Sequence, residues 1–230
     1  MVPAVADNCL TRNEWICGKY YSTRASDLAS AVGQHVHIVV VSVLLGFVIA
    51  FPLALLARRY RKLELMVVGI TTAIYTIPSL ALFSLLVPIS GLGLSINTVI
   101  VGLALYSLTV LVRNMLDGLR AVPADVKESA IGMGYSSTRM LFRVELPLAL
   151  PAIMAGLRVA TVSAVALTTV GAIVGYGGLG TLLINGNNTE FKAQVLATSV
   201  LCVLLAVILD VLLVGTQRLL TPWTSKAVAR

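Results

Sequence analysis

Few residues in this chain carry chemistry, and their spacing argues against catalysis. His35 and His37 stand two apart in an apolar run. On a helix, two such side chains point about 200° apart, so they do not make a two-ligand metal face; they read as interfacial histidines. Asp210 is a lone acid in one apolar stretch and Arg158 a lone base at the edge of another. An acid inside a membrane is a candidate for proton or ion chemistry, with a structural hydrogen bond or an interfacial position as the plainer reading; Arg158 is expected to pair or to snorkel. Cys9, Cys17 and Cys202 offer no C-x-x-C spacing for zinc. Cys9 and Cys17 suit a disulfide or two free thiols equally, and Cys202 reads as a small apolar residue. Gly175, Gly177 and Gly180 fit G-x-G-x-x-G but lack the strand–turn–helix context that nucleotide binding needs, so they read as a flexible turn. Asn187-Asn188-Thr189 fits a glycosylation sequon, a pattern common by chance. No nucleophile and base converge, and no P-loop occurs.

One polar stretch is organised differently. It runs Val122-Pro123-Ala124-Asp125-Val126-Lys127-Glu128-Ser129-Ala130-Ile131-Gly132-Met133-Gly134. Pro123 suits a first helical position, and Asp125 and Glu128 favour the positive end of a helix dipole. Gly132 and Gly134 supply a stop, Gly134 by taking positive φ. Ser136, Ser137 or Thr138 can cap a second helix through Arg139, Leu141, Phe142 and Glu145, and Pro147 and Pro151 punctuate the re-entry into an apolar segment. The expected shape is two short helices joined at a glycine corner, suited to docking a partner or to an inert loop.

The elements that must position these residues are long and apolar. Five stretches reach the ~20 residues that a membrane-spanning helix requires: Val36 to Ala57, Leu65 to Pro88, Ser95 to Val112, Val159 to Tyr176 with its helix starting near Pro151, and Ala193 to Gln217. Soluble helices seldom stay uncharged so long, because one face must meet water. Composition agrees: the 230 residues are 58% hydrophobic and 12% charged, with a mean hydropathy of +0.94. The net charge of +7 is explained by topology better than by nucleic acid. Twelve Lys and Arg residues fall in the links after the first and third spans and in the tail, against four on the opposite side. The positive-inside rule therefore places the N-terminus outside and the C-terminus in the cytoplasm. Residues 1–30 lack the pattern of a cleaved signal peptide. They suit either a short amphipathic helix anchored by Trp15, Tyr20 and Tyr21 or a loosely ordered tail.

The polar stretch resembles the signature of ATP-binding-cassette (ABC) importer permeases: Glu-Ala-Ala, three residues, Gly, nine residues, then Ile-x-Leu-Pro. Here it stands as Glu128-Ser129-Ala130, Gly134 and Val144-Glu145-Leu146-Pro147, with every spacing intact, Ser replacing the middle Ala and Val replacing Ile. The resemblance extends from about Gln34 to Trp223. It looks closest to the osmoprotectant branch through Gln34-His35-Val36, Gly175-Tyr176-Gly177-Gly178-Leu179-Gly180 and Ala206-Val207-Ile208-Leu209-Asp210.

That resemblance implies an all-α integral membrane protein with the type I importer permease fold. It implies an extracytoplasmic segment 1–30, a transmembrane domain 31–217 holding a cytoplasmic coupling loop 113–147, and a cytoplasmic tail 218–230. Glu128, Ser129, Ala130, Gly134, Val144, Leu146 and Pro147 are the expected contacts to an ATP-hydrolysing subunit. This chain is expected to bind no cofactor, with ATP and Mg used by the partner. The expected partners are a cytoplasmic ABC ATPase dimer, a second permease subunit (identical or a paralogue) and an extracytoplasmic substrate-binding protein, all at a bacterial cell membrane. The implied solute is an osmoprotectant such as glycine betaine, carnitine, choline or proline, with an amino acid as the alternative. Tyr75, Thr76, Pro78, Ser79, Tyr106, Thr109 and Thr168 can line a weakly polar path, although each also suits helix packing. An ion-coupled secondary transporter is the rival class; it calls for more buried charge than Asp210 alone provides.

Overall fold

The long uncharged runs become long helices, because within a membrane only intra-helical hydrogen bonds satisfy the backbone of a single segment. The computed structural model describes residues 8–225, and among these the chain is all helical. Asp7, Lys226 and Arg230 lie outside the described residues. In chain order the helices are α1 (Gly18–Thr23), α2 (Ala25–Arg59), α3 (Arg61–Thr76), α4 (Ser79–Leu86), α5 (Ile96–Arg120), α6 (Ala124–Gly132), α7 (Ser137–Met140), α8 (Leu146–Thr168), α9 (Leu179–Asn188), α10 (Lys192–Leu220) and α11 (Pro222–Ser225). Among the described residues four continuous helices are long and apolar enough to cross a membrane: α2, α5, the run from Ser137 to Val174 and α10.

The stretch from Leu65 to Pro88 is not one straight span. It forms α3 and α4, bent by 100° at a short break. Ile77 there is extended, with φ −68° and ψ 127°. Pro78 causes this, since its ring disfavours the helical conformation at the residue before it and it has no N–H to continue the ladder. The crossing count is therefore four, or five with the bent pair taken as one span.

Pro147 and Pro151 do not interrupt the chain where punctuation was expected. Both lie within α8, which continues from α7 through a π-helical turn at Leu141–Glu145. Pro147 would press on the carbonyl of Arg143, four residues earlier. The wider π turn shifts the hydrogen-bond register at that point and lets the helix run on. The fourth crossing thus starts well before Pro151.

α5 is the centre of the bundle and α10 its rim: 72% of the membrane window of α5 is buried against 17% for α10. α5 packs on α2 and α8 around Ala50, Ala54, Leu111, Val112, Met115 and Ile153. Lipid tails are as apolar as these side chains, so association rests on close backbone approach. Gly46 of α2 shows it: a Cβ there would collide with Ser107 Oγ on α5 and lie 3.2 Å from the Ala104 carbonyl.

From Asn8 onward the N-terminal segment is neither a lone surface helix nor a loose tail. Cys9 and Cys17 form a disulfide, which decides the alternative left open by the sequence. The turn they close sits on the start of α10. Asn13 Nδ2 donates to the Glu190 carbonyl (2.8 Å), Lys192 N–H donates to Asn13 Oδ1 (3.0 Å), and Tyr20 meets Phe191 edge to face at 5.3 Å. Of the expected anchors, Tyr20 is buried, while Trp15 and Tyr21 stay exposed.

Candidate coupling surface

The signature residues fold into a projecting corner whose shape follows from local sequence. Pro123 is the residue before α6 rather than its first member, and Asp125 occupies the first turn. Ala130 is the one buried residue of α6, at 1% exposure. The helix closes with paired turn bonds: Tyr135 N–H donates to the Ala130 carbonyl (3.1 Å) and Gly134 N–H to the Ile131 carbonyl (2.9 Å). Gly134 takes φ +79°, the left-handed position that such a closure demands and that a β-carbon penalises. Ser136 then caps α7, accepting from Arg139 N–H at 3.4 Å.

The corner displays its residues outward. Glu128, Ser129, Gly132 and Gly134 are exposed, and Ile131 (60%) and Met133 (69%) stand free beside them. Two apolar side chains at a bare glycine corner match the make-up of a docking knob. Val144, Leu146 and Pro147 are half-buried at its base. The structure therefore divides the seven predicted residues: Glu128, Ser129 and Gly134 at the tip, Ala130 beneath it, and the remaining three at the root of α8.

Behind the corner lies an ion-pair cluster that the sequence did not reveal. Glu145 is 3% exposed. It accepts a hydrogen bond from Arg58 Nη1 at the end of α2 (2.6 Å) and faces Lys127 Nζ of α6 at 3.8 Å. Beside it, Arg120 at the end of α5 donates to Glu64 of α3. A buried carboxylate is tolerated where it is paired and hydrogen-bonded, so Glu145 ties the ends of α2 and α8 to α6. The available signal was one acid in an otherwise apolar re-entry sequence, Val144-Glu145-Leu146-Pro147.

The predicted path residues scatter. Tyr75 (47% exposed) meets Tyr106 (6%) edge to face at 5.8 Å, and the Tyr106 hydroxyl donates to the Ile77 carbonyl left free at the Pro78 break. Thr76 and Pro78 are exposed and Ser79 is half-buried. Thr109 and Thr168 face inward. The hydroxyl of Thr109 donates to the Thr71 carbonyl at 2.5 Å, and that of Thr168 to Ala164 within its own helix at 2.7 Å.

At the opposite end of the bundle, two expectations are corrected. His35 is fully buried rather than interfacial, and its Nε2–H donates to the Val165 carbonyl at 3.0 Å; His37 is exposed. The glycine-rich turn is packed rather than loose. Gly178 has φ +55° and donates its N–H to Gln34 Oε1 (3.1 Å), and a Cβ on it would lie 2.7 Å from the Cβ of His35. The two motifs meet because glycine alone lets this turn reach the backbone of α2. Arg158 and Asp210 pair with each other through two bonds, at 2.8 and 2.9 Å. Among the described residues no cluster of three or more His, Cys, Asp or Glu is placed to hold a metal.

Comparison with known proteins gives a consistent result. Residues 42–226 match the family described as binding-protein-dependent transport system inner membrane component. The chain is 40% identical over 210 residues, 91% of each protein, to the glycine betaine/carnitine/choline transport system permease protein OpuCD of Bacillus subtilis (strain 168). It is 37% identical to the osmoprotectant import permease protein OsmW of Salmonella typhimurium, over 88% of this chain and 96% of that protein. Among solved structures it matches an inward-facing form of the MetNI methionine ABC transporter. That match has a TM-score of 0.68 and 25% identity, and covers 82% of this chain and 92% of the other.

Proposed function

This chain belongs to the family of binding-protein-dependent transport system inner membrane components, the permeases of ABC importers, and from that premise we propose that it forms half of the route by which a quaternary ammonium osmoprotectant enters the cell. The observation that carries the mechanism is the exposed corner at Gly134, tied at its base by Glu145 to α2 and α8. ATP and Mg are used on a separate ATPase dimer, whose surface receives Ile131, Met133 and the tip of α6. When that dimer closes, the corner moves and the ion pairs pass the movement to α2 and α8, while this chain binds no nucleotide. The bent α3–α4 pair and the α5 and α8 walls belong to the route, with the half-exposed Tyr75, held by the buried Tyr106, offering an aromatic ring that attracts a trimethylammonium group. A second copy or a paralogue completes the route, since one small bundle whose central helix is already buried leaves no channel inside itself.

The corner is cytoplasmic and the disulfide-closed segment extracytoplasmic. Two facts support this orientation: the Lys and Arg bias, and a disulfide at the opposite end of the bundle, a bond that persists outside the reducing cytosol. The chain then divides as a segment 1–30 outside, a transmembrane domain 31–217 with the loop 113–147 inside, and a cytoplasmic tail 218–230. The solute reading draws on relatives whose names include glycine betaine, carnitine and choline. An amino acid is the second reading, favoured by the structural match to a methionine transporter.

The test is ATP-driven uptake of radiolabelled glycine betaine by proteoliposomes holding the whole importer. Gly134→Arg and Glu128→Arg are expected to abolish uptake while the permease still inserts. Uptake at the full wild-type rate in both variants overturns the coupling role.

A further inference from the structure

Arg158 on α8 and Asp210 on α10 are bonded in parallel, Nε to Oδ1 and Nη2 to Oδ2. Their side chains remain 35% and 31% exposed. They border a surface cavity whose other walls are Ala155, Val159, Val162 and Ser163. Asp210 lies seven residues before Gln217, where the apolar run of α10 ends, about 10 Å along the helix axis, and so within a ~30 Å hydrocarbon core. Charges at that depth face a bundle interior or a water-filled cavity, because turning them to acyl chains costs several kcal/mol. The open side of this pair therefore belongs to a wet wall. Ser163 borders this cavity and also the crevice where Tyr75 meets Tyr106, so the two adjoin on neighbouring faces of α8.

We propose that this wall is a polar step on the solute route: Arg158 receives the carboxylate of a zwitterionic solute, and Asp210 faces its quaternary ammonium. A guanidinium has five N–H donors, and two are spent on Asp210, leaving three for a passing carboxylate. The pair is complementary to a zwitterion because it carries both signs side by side. Being already neutralised, it binds such a solute weakly enough to release it, as conduction requires. The assignment rests on the solute reading above.

Two experiments on the reconstituted importer test it. In a Cys202→Ala background, with the Cys9–Cys17 disulfide kept, Val159→Cys is treated with a membrane-impermeant thiol reagent, with and without trapped nucleotide. Labelling in at least one state is expected. No labelling in either state means that lipid or a second copy covers the wall, and the proposal falls. In the second experiment, Arg158→Gln/Asp210→Asn leaves no orphaned charge and keeps the shape of the site. Its uptake of glycine betaine is expected to fall about tenfold more than its uptake of choline, which has no carboxylate, the loss being that of one charge-assisted hydrogen bond. An equal fall for both solutes makes the pair purely structural and sinks the proposal alone. A wild-type importer that takes up neither solute sinks the solute reading, and this assignment with it.

Discussion

Glu145 accepts a 2.6 Å hydrogen bond from Arg58 across 87 positions of sequence, and Lys127 of α6 stands 3.8 Å from the other carboxylate oxygen. One nearly buried acid thus joins the end of α2, the root of α8 and α6. Glu145→Gln keeps the shape and removes the charge. It is expected to reduce uptake severalfold while the ATPase rate of the importer stays within about twofold, because leaving Arg58 and Lys127 without their partner costs ~1–3 kcal/mol locally and loosens α6 from the spans. Parallel measurement of hydrolysis and transport checks this; an unchanged ratio of solute moved to ATP hydrolysed contradicts it.

The covalent state of the N-terminal segment is directly measurable. Cys9 and Cys17 are bonded, and Cys202 is free and half-buried. Alkylation of the denatured, unreduced protein is expected to modify one thiol, and alkylation after reduction three, read by intact mass. Three modified thiols without reductant contradict the bond.

Gly178 is predicted to be intolerant of substitution. At φ +55°, with His35 backbone atoms 2.8 Å from the place of a Cβ, alanine is both strained and obstructed. Gly178→Ala is expected to destabilise the bundle by ~1–3 kcal/mol, lowering the melting temperature in detergent and the amount of assembled importer. Gly215, with nothing within 4 Å of its Cβ position, is the matched control, and Gly215→Ala is expected to melt as wild type does. Equal melting of the two variants contradicts the packed-turn account.

Orientation is tested by single cysteines in the Cys202→Ala background. Met133→Cys at the corner is expected to resist an impermeant label added outside intact cells, and to react in inside-out vesicles. Ile16→Cys, 80% exposed beside the disulfide, is expected to show the reverse. Labelling of Met133→Cys from outside overturns the topology and the coupling role together.

The membrane crossings, the glycine corner and the family signature it carries were legible in the sequence because each depends on contiguous residues. Lipid demands long uncharged runs, and α6 terminates through local bonds, Gly134 N–H to a carbonyl three positions back and Tyr135 N–H to one five positions back. The corner itself could be drawn from local rules, missing that Pro123 precedes α6 and that the second helix runs on through a π turn into α8. The bend at Pro78 was less legible: proline marks a break without giving its 100° angle, which depends on what α3 and α4 pack against. Pro147 and Pro151 misled for the same reason, since whether proline ends a helix depends on the π turn upstream.

The tertiary structure alone decided which distant residues meet. Arg158 with Asp210, Glu145 with Arg58, and Gly178 with His35 are separated by 52, 87 and 143 positions, and no local pattern encodes such pairs. Apolar periodicity says that a helix is buried, but not against what. His35 therefore read as an interfacial residue, until the glycine turn and the Val165 carbonyl were seen to enclose it. The sequence determined what crosses the membrane and what projects from it, through solvation and backbone bonding. The fold decided how the corner is tied to the spans, because that depends on charges brought together only by packing.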